Sequence, residues 1–163
     1  MVSRWRAFAV PACALLLAVR PSPGLGADVP EFVTVSAATF QPSTPLAPGL
    51  IAAGFGRGLA AATEAASSSA PLPVSLARTS VKLKDRNGLE WAAPLRFVSP
   101  GQINYLIPEQ AAFGPASVSV ERDAEVIAAG EVEIAPVAPG LFTMNADGLG
   151  VPAGVAVLVQ SGG

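Results

Sequence analysis

The sequence predicts an all-β domain, a sandwich or barrel of short antiparallel strands. Three observations carry that prediction. Short apolar–polar alternations recur along the chain, and turn-forming residues separate them at about 8–12-residue intervals. Glycine and proline number 16 each, together roughly a fifth of the chain against an average of about 12%. No stretch carries an apolar stripe at helical spacing worth burying.

Residues 1–27 read as an export signal. Arg4 and Arg6 give a positive start, "AFAVPACALLLAV" (Ala7–Val19) is apolar, and "PSPGLGA" supplies a breaker and small residues before cleavage after Ala27. The apolar run is shorter than the about 20 residues a membrane span needs, and Pro11 interrupts it. Residues 28–163 then form the domain.

The elements of that domain follow in order. In "EFVTVSAA", Phe32, Val33 and Val35 stand against polar neighbours and mark a strand. Three prolines in Gln41–Gly49 mark a loop or edge crossing. Leu50–Phe55 is a continuous apolar run, a candidate buried strand. The Ala/Ser tract Ala60–Ala70 reads as a mobile surface loop.

Val81 and Leu83 alternate with Lys82 and Lys84, and Asn87-Gly88 supplies a type I′ turn or a bulged relative of it. Leu89, Trp91, Leu95 and Phe97 form the return, which bends or ends at Pro94. Ser99-Pro100-Gly101 has a type II signature, with positive φ expected at Gly101. Ile103, Tyr105 and Ile107 share one face of the next strand; Gln102, Asn104 and Leu106 share the other. A second hairpin turns at "ERDAE", from Ala116, Val118 and Val120 to Val126–Ile134. Ala138–Gly150 is loop-like with an apolar tip, Leu141-Phe142, and "GVAVLVQ" reads as a further strand.

Composition excludes several functions. Without Arg4, Arg6 and Arg20, seven basic residues face twelve acidic ones, a net charge of −5. A nucleic-acid partner is not expected from such a chain. The sole cysteine, Cys13, leaves with the signal, so burial alone must hold the domain. With no histidine, no Ser-His-Asp or Cys-His site can form.

Several segments together resemble one family: "SAATF", "LAPGLIAAGFGRGLA", "LPVSLARTSVKL", "APLRFVSPGQINYLIP", "GPASVSV" and "VAPGLFTMNADGLGVPA". Their order and spacing are similar to the uncharacterised C-terminal domain of many secreted acidobacterial proteins, akin to IPT/TIG immunoglobulin-like modules. The resemblance implies an immunoglobulin-like β-sandwich on an exported protein. It implies no catalytic residue, because the family has no established activity. Family domains usually follow a larger N-terminal region and continue past "APGLF" with more β structure. The expectation is therefore a sandwich truncated at its C-terminus.

Candidate chemistry is sparse. Glu121, Asp123 and Glu125 fall in a hairpin turn with Arg122 among them, which favours a solvated turn over a Ca²⁺ site. Asn145 and Asp147 fit Asx-type turn chemistry. "GFGRG" lacks the spacing of a dinucleotide loop, so its glycines are expected to permit a bend. Lys82 and Lys84 read as edge charges that block strand pairing. No metal or other cofactor is expected.

The stretch "FVSPGQINYLIPEQ" concentrates polar groups in a chain poor in them. It reads first as a turn-and-strand staple, with the amides of Gln102 and Asn104 bonding loop backbone and Tyr105 in the core. The competing reading is a ligand surface of Trp91, Gln102, Asn104 and Tyr105, joined by the exposed tip Leu141 and Phe142.

The first functional expectation is an exported non-catalytic structural or interaction module, located outside the cell, at its surface or in the periplasm. Alternatives are a carbohydrate-binding module using Trp91 and Tyr105, and a fragment of a larger secreted hydrolase. The expected partner is a protein or a cell-surface polysaccharide.

Overall fold

Among the described residues, the chain forms nine strands: β1 (Val33–Ser36), β2 (Ile51–Phe55), β3 (Glu64–Ala65), β4 (Thr79–Lys84), β5 (Glu90–Ala92), β6 (Leu95–Val98), β7 (Gln102–Leu106), β8 (Gly114–Arg122) and β9 (Glu125–Ile134). The computed structural model describes residues 29–67, 71–145, 147–155 and 157. The expected export signal falls outside them, as does much of the expected strand over 154–160. Among the described residues, no helix is long and apolar enough to cross a membrane.

The strands form two antiparallel sheets, ordered β1-β2-β7-β6-β3 and β5-β4-β8-β9. The architecture is an all-β sandwich of immunoglobulin-like character. Val81 and Leu83 of β4 and Val118 and Val120 of β8 face the core from one sheet. Ala52, Leu95, Ile103 and Tyr105 meet them from the other. The expected inward face of β7 is correct: Ile103, Tyr105 and the following Ile107 are all fully buried.

Turn chemistry sets the registers. Gly88 takes φ 79°, and its N–H donates to Asp85 O while Asp85 N–H donates to Leu89 O. This is the bulged relative of the type I′ turn, a type I turn closed by a left-handed glycine. The β8–β9 hairpin turns through Asp123 (φ 55°) and Ala124 (φ 64°), the two positive angles of type I′. Pro94 lies where the chain leaves β5 in one sheet for β6 in the other. With no N–H to give a ladder, it suits that crossing.

Three expectations about turns and strands need correction. Gly101 does not take positive φ. The turn closes instead through Ser99, whose N–H and Oγ donate to Gln102 O at 2.8 and 3.1 Å. Ala60–Ala70 is not wholly loop: Leu59 and Ala60 are buried, and β3 pairs with Val98 and Phe97. β4 is not an edge but lies between β5 and β8. Its outward lysines meet carboxylates on those neighbours, Lys82 to Glu121 at 2.8 Å and Lys84 to Glu90 at 3.9 Å. The Glu121 hydrogen bond holds the Lys82 ammonium above its usual pKa.

Of the glycines of "GFGRG", Gly58 takes φ 64° just past the end of β2, the expected bend, whereas Gly54 has a different role. Gly54 stays within β2, and a Cβ there would lie 2.0 Å from Cζ of Phe32. On the opposite side, a Cβ on Gly130 of β9 would lie 1.9 Å from Phe32 O. Two bare backbones thus clear the path by which Phe32 crosses from β9 toward β1. The Phe32 ring then stacks on Tyr105, with centroids 6.3 Å apart.

Candidate functional site

The polar stretch divides along the strand period. Tyr105 points inward with 0% exposure, and its hydroxyl shares a 3.0 Å hydrogen bond with Thr34 Oγ1. Burial pushes the phenol pKa well above its ordinary value, so the group stays protonated. Tyr105 is therefore a core residue and presents no ring to a ligand. Gln102 and Asn104 point to the other face, as period two requires. Their amides do not bond loop backbone, as expected, but each other: Gln102 Nε2 donates to Asn104 Oδ1 at 2.8 Å.

That outer face carries a groove of about 290 Å³, lined by Ala53, Arg96, Gln102, Asn104, Phe142 and others. Three separated segments meet there. β7 supplies the paired amides. A bulge between Leu95 and Phe97 interrupts the β6–β7 register at Arg96, and bulges re-aim side chains in this way. The C-terminal segment brings Phe142 across the sheet. Among the described residues, Arg96 has no ion-pair partner.

The packing of that segment is specific. A Cβ on Gly148, at φ 78°, would lie 2.0 Å from Thr39 O, so only glycine fits there. Thr143 is buried beside it and accepts the Gly148 N–H at 3.1 Å. Asp147 accepts the Leu149 N–H at 2.7 Å and an Asn145 amide N–H at 2.8 Å, the expected Asx-type arrangement. Phe142 stays 52% exposed at the groove, and Leu141 is 69% exposed without lining it.

Trp91 lies elsewhere, on β5 of the other sheet. Its indole N–H donates to Asp85 Oδ2 at 3.1 Å. The same carboxylate accepts backbone N–H groups from Asn87 (2.9 Å), Leu89 (3.1 Å) and Ala112 (3.1 Å). These donors, with Trp91 foremost, hold the Asp85 carboxyl below its ordinary pKa. Asp85 is 5% exposed and fully engaged, so it is a fastener and not a free acid or base.

Of the six sequence-derived candidates, the fold brings together Gln102, Asn104 and Phe142. It separates Trp91 and buries Tyr105. Sequence reasoning missed Arg96, whose placement depends on a bulge with no sequence mark, and Asp85, whose "DRNG" context signals a turn but not the contacts to Trp91 and Ala112. Glu121 and Asp123 pair with Lys82 and Arg78. Among the described residues, no three His, Cys, Asp or Glu side chains group closely enough to hold a metal ion.

No protein-family model matches this sequence, and the search of curated proteins finds no match.

Proposed function

We propose that the protein is an exported, non-catalytic interaction module that holds its ligand in the outer-face groove. The carrying observation is the convergence of Arg96, Gln102, Asn104 and Phe142 from three segments onto one sheet face. The amide pair has donor and acceptor capacity beyond its mutual bond. Arg96 adds a cation and Phe142 an apolar wall, a small set of polar groups beside an aromatic anchor. Asp85, the buried carboxylate, is already engaged by four donors, which favours binding over acid–base work. Export rests on the signal-like residues 1–27 and on the resemblance to a secreted domain family.

A protein surface is the first ligand class. A polysaccharide is the second, favoured by the amides lying beside an aromatic ring; this places the sugar at Phe142, away from Trp91 and Tyr105. Affinity electrophoresis through neutral and acidic soluble polysaccharides separates the two. Retardation lost in both Asn104→Ala and Phe142→Ala identifies a sugar ligand. Unretarded migration in every gel leaves the protein ligand. New reducing ends released from any of these polysaccharides would overturn the non-catalytic reading.

A further inference from the structure

On the reading of the outer-face groove as the binding site, we infer that it selects a free carboxylate on an apolar residue, the C-terminal residue of a protein partner. Among the described residues that line the groove, Arg96 carries the single charge. No Asp or Glu lines it, although acidic residues outnumber basic ones in the chain, 12 to 10. The groove is thus a positive spot on an acidic protein, and an anionic group is what its charge favours.

Hydrogen-bond polarity points the same way. The bulge in β6 sets Arg96 beside Phe97, the residue paired with Asn104 of β7. Among the described residues, the Arg96 guanidinium has no ion-pair or hydrogen-bond partner. Gln102 Nε2 donates to Asn104 Oδ1 at 2.8 Å, which fixes the orientation of the Asn104 amide. Its oxygen faces Gln102, and Nδ2, with two N–H groups, faces away without a partner among the described residues. Arg96 and Asn104 therefore offer the groove N–H donors from neighbouring strands. A carboxylate has two acceptor oxygens and the opposite charge, and it answers both donors at once.

The remaining walls decide which carboxylate. Ala38, Phe40, Ile51, Ala53 and Phe142 give the groove apolar surface. Its volume of about 290 Å³ lies close to the lower limit of the range of about 300–1,000 Å³ for ligand clefts, room for one residue-sized group. A C-terminal residue joins its carboxylate directly to the Cα that bears its side chain, so charge and apolar group enter one such space together. An Asp or Glu side chain brings the charge and leaves the apolar walls unmatched. A uronic acid brings ring hydroxyls that need acceptors, whereas Asn104 Oδ1 and Thr143 Oγ1 already accept from Gln102 and Gly148. The chemistry that fits is a peptide ending in an aliphatic residue.

The test titrates ¹⁵N-labelled protein with acetyl-Ala-Ala-Ala-Leu, once as the free acid and once as the C-terminal amide. Expected with the acid are saturable shifts centred on Arg96, Gln102 and Asn104, the Asn104 side-chain N–H signals among them. The amide should bind at least tenfold more weakly. Arg96→Gln should bring acid and amide to the same low affinity. Asn104→Asp, which keeps the shape and adds a repelling charge, should weaken the acid at least tenfold. Arg57→Gln, outside the groove, should bind as the parent does. Equal binding of acid and amide in the groove would overturn the carboxylate assignment and leave the groove as the binding site. Groove shifts with glucuronic acid and with neither peptide would do the same in favour of a sugar. No groove shifts with any of the three at millimolar concentration would overturn both the assignment and the groove.

Discussion

The indole N–H of Trp91 donates to the carboxylate of Asp85 at 3.1 Å, tying β5 to the turn that leads into it. The same carboxylate reaches across to Ala112 and fastens the loop before β8. A depressed carboxyl pKa stabilises the folded state above the ordinary value, 3.8, and loses that contribution as pH falls through the lower folded value. Melts between pH 2 and 7 should show Asp85→Asn well below the parent at neutral pH, with the gap closing toward the acid end. A gap independent of pH would contradict the assignment.

Thr34 and Tyr105 form a closed pair, the phenol fully buried. Tyr105→Phe should cost about 1 kcal/mol, the usual net value of one hydrogen bond. Thr34→Val should cost a similar amount. The double substitution should cost less than the sum, because neither partner is then left alone. Strict additivity in denaturant unfolding would show that the bond carries no coupling.

Phe32 is enclosed by two glycines in different ways, and the difference is measurable. Gly54→Ala presses on the end of the Phe32 ring, and Gly130→Ala on its backbone carbonyl. Overpacking of this kind costs about 1–3 kcal/mol. Phe32→Leu should recover part of the Gly54→Ala loss, since it withdraws the obstructing ring atoms. It should recover none of the Gly130→Ala loss. Thermal melts of the two double variants decide this.

Ala124 holds φ 64° in the β8–β9 turn, a region that costs a non-glycine residue about 1–2 kcal/mol. Ala124→Gly relieves that strain and gives back part of the gain through a freer unfolded chain. A net stabilisation of about 0.5–1 kcal/mol is expected, read as a raised Tm. A lowered Tm would show that the turn is not strained.

The inner half of this fold was legible, and its outer half was not. Alternation placed Ile103, Tyr105 and Ile107 inside, because a half-buried strand repeats every two residues whatever its partners are. Asn87-Gly88 and the "ERDAE" turn were equally local. What failed depended on contacts distant in sequence. β4 reads as an edge because lysines alternate on it, yet Glu121 and Glu90 arrive from the strands on either side. Trp91 and Tyr105 stand close in sequence, but Pro94 sends the chain between them into the other sheet. Arg96 joins the groove through a bulge, which local pattern does not announce.

The most direct test of the binding surface places a photo-crosslinking phenylalanine analogue at position 142, and separately at position 91, in protein produced in living cells. The account predicts a discrete adduct from position 142 and none from position 91. Arg96→Ala/Asn104→Ala should abolish the adduct while leaving Tm within a degree or two, since both side chains lie on the outer face. An adduct at position 142 that survives this double substitution, or capture only from position 91, would contradict the outer-face groove as the site of interaction.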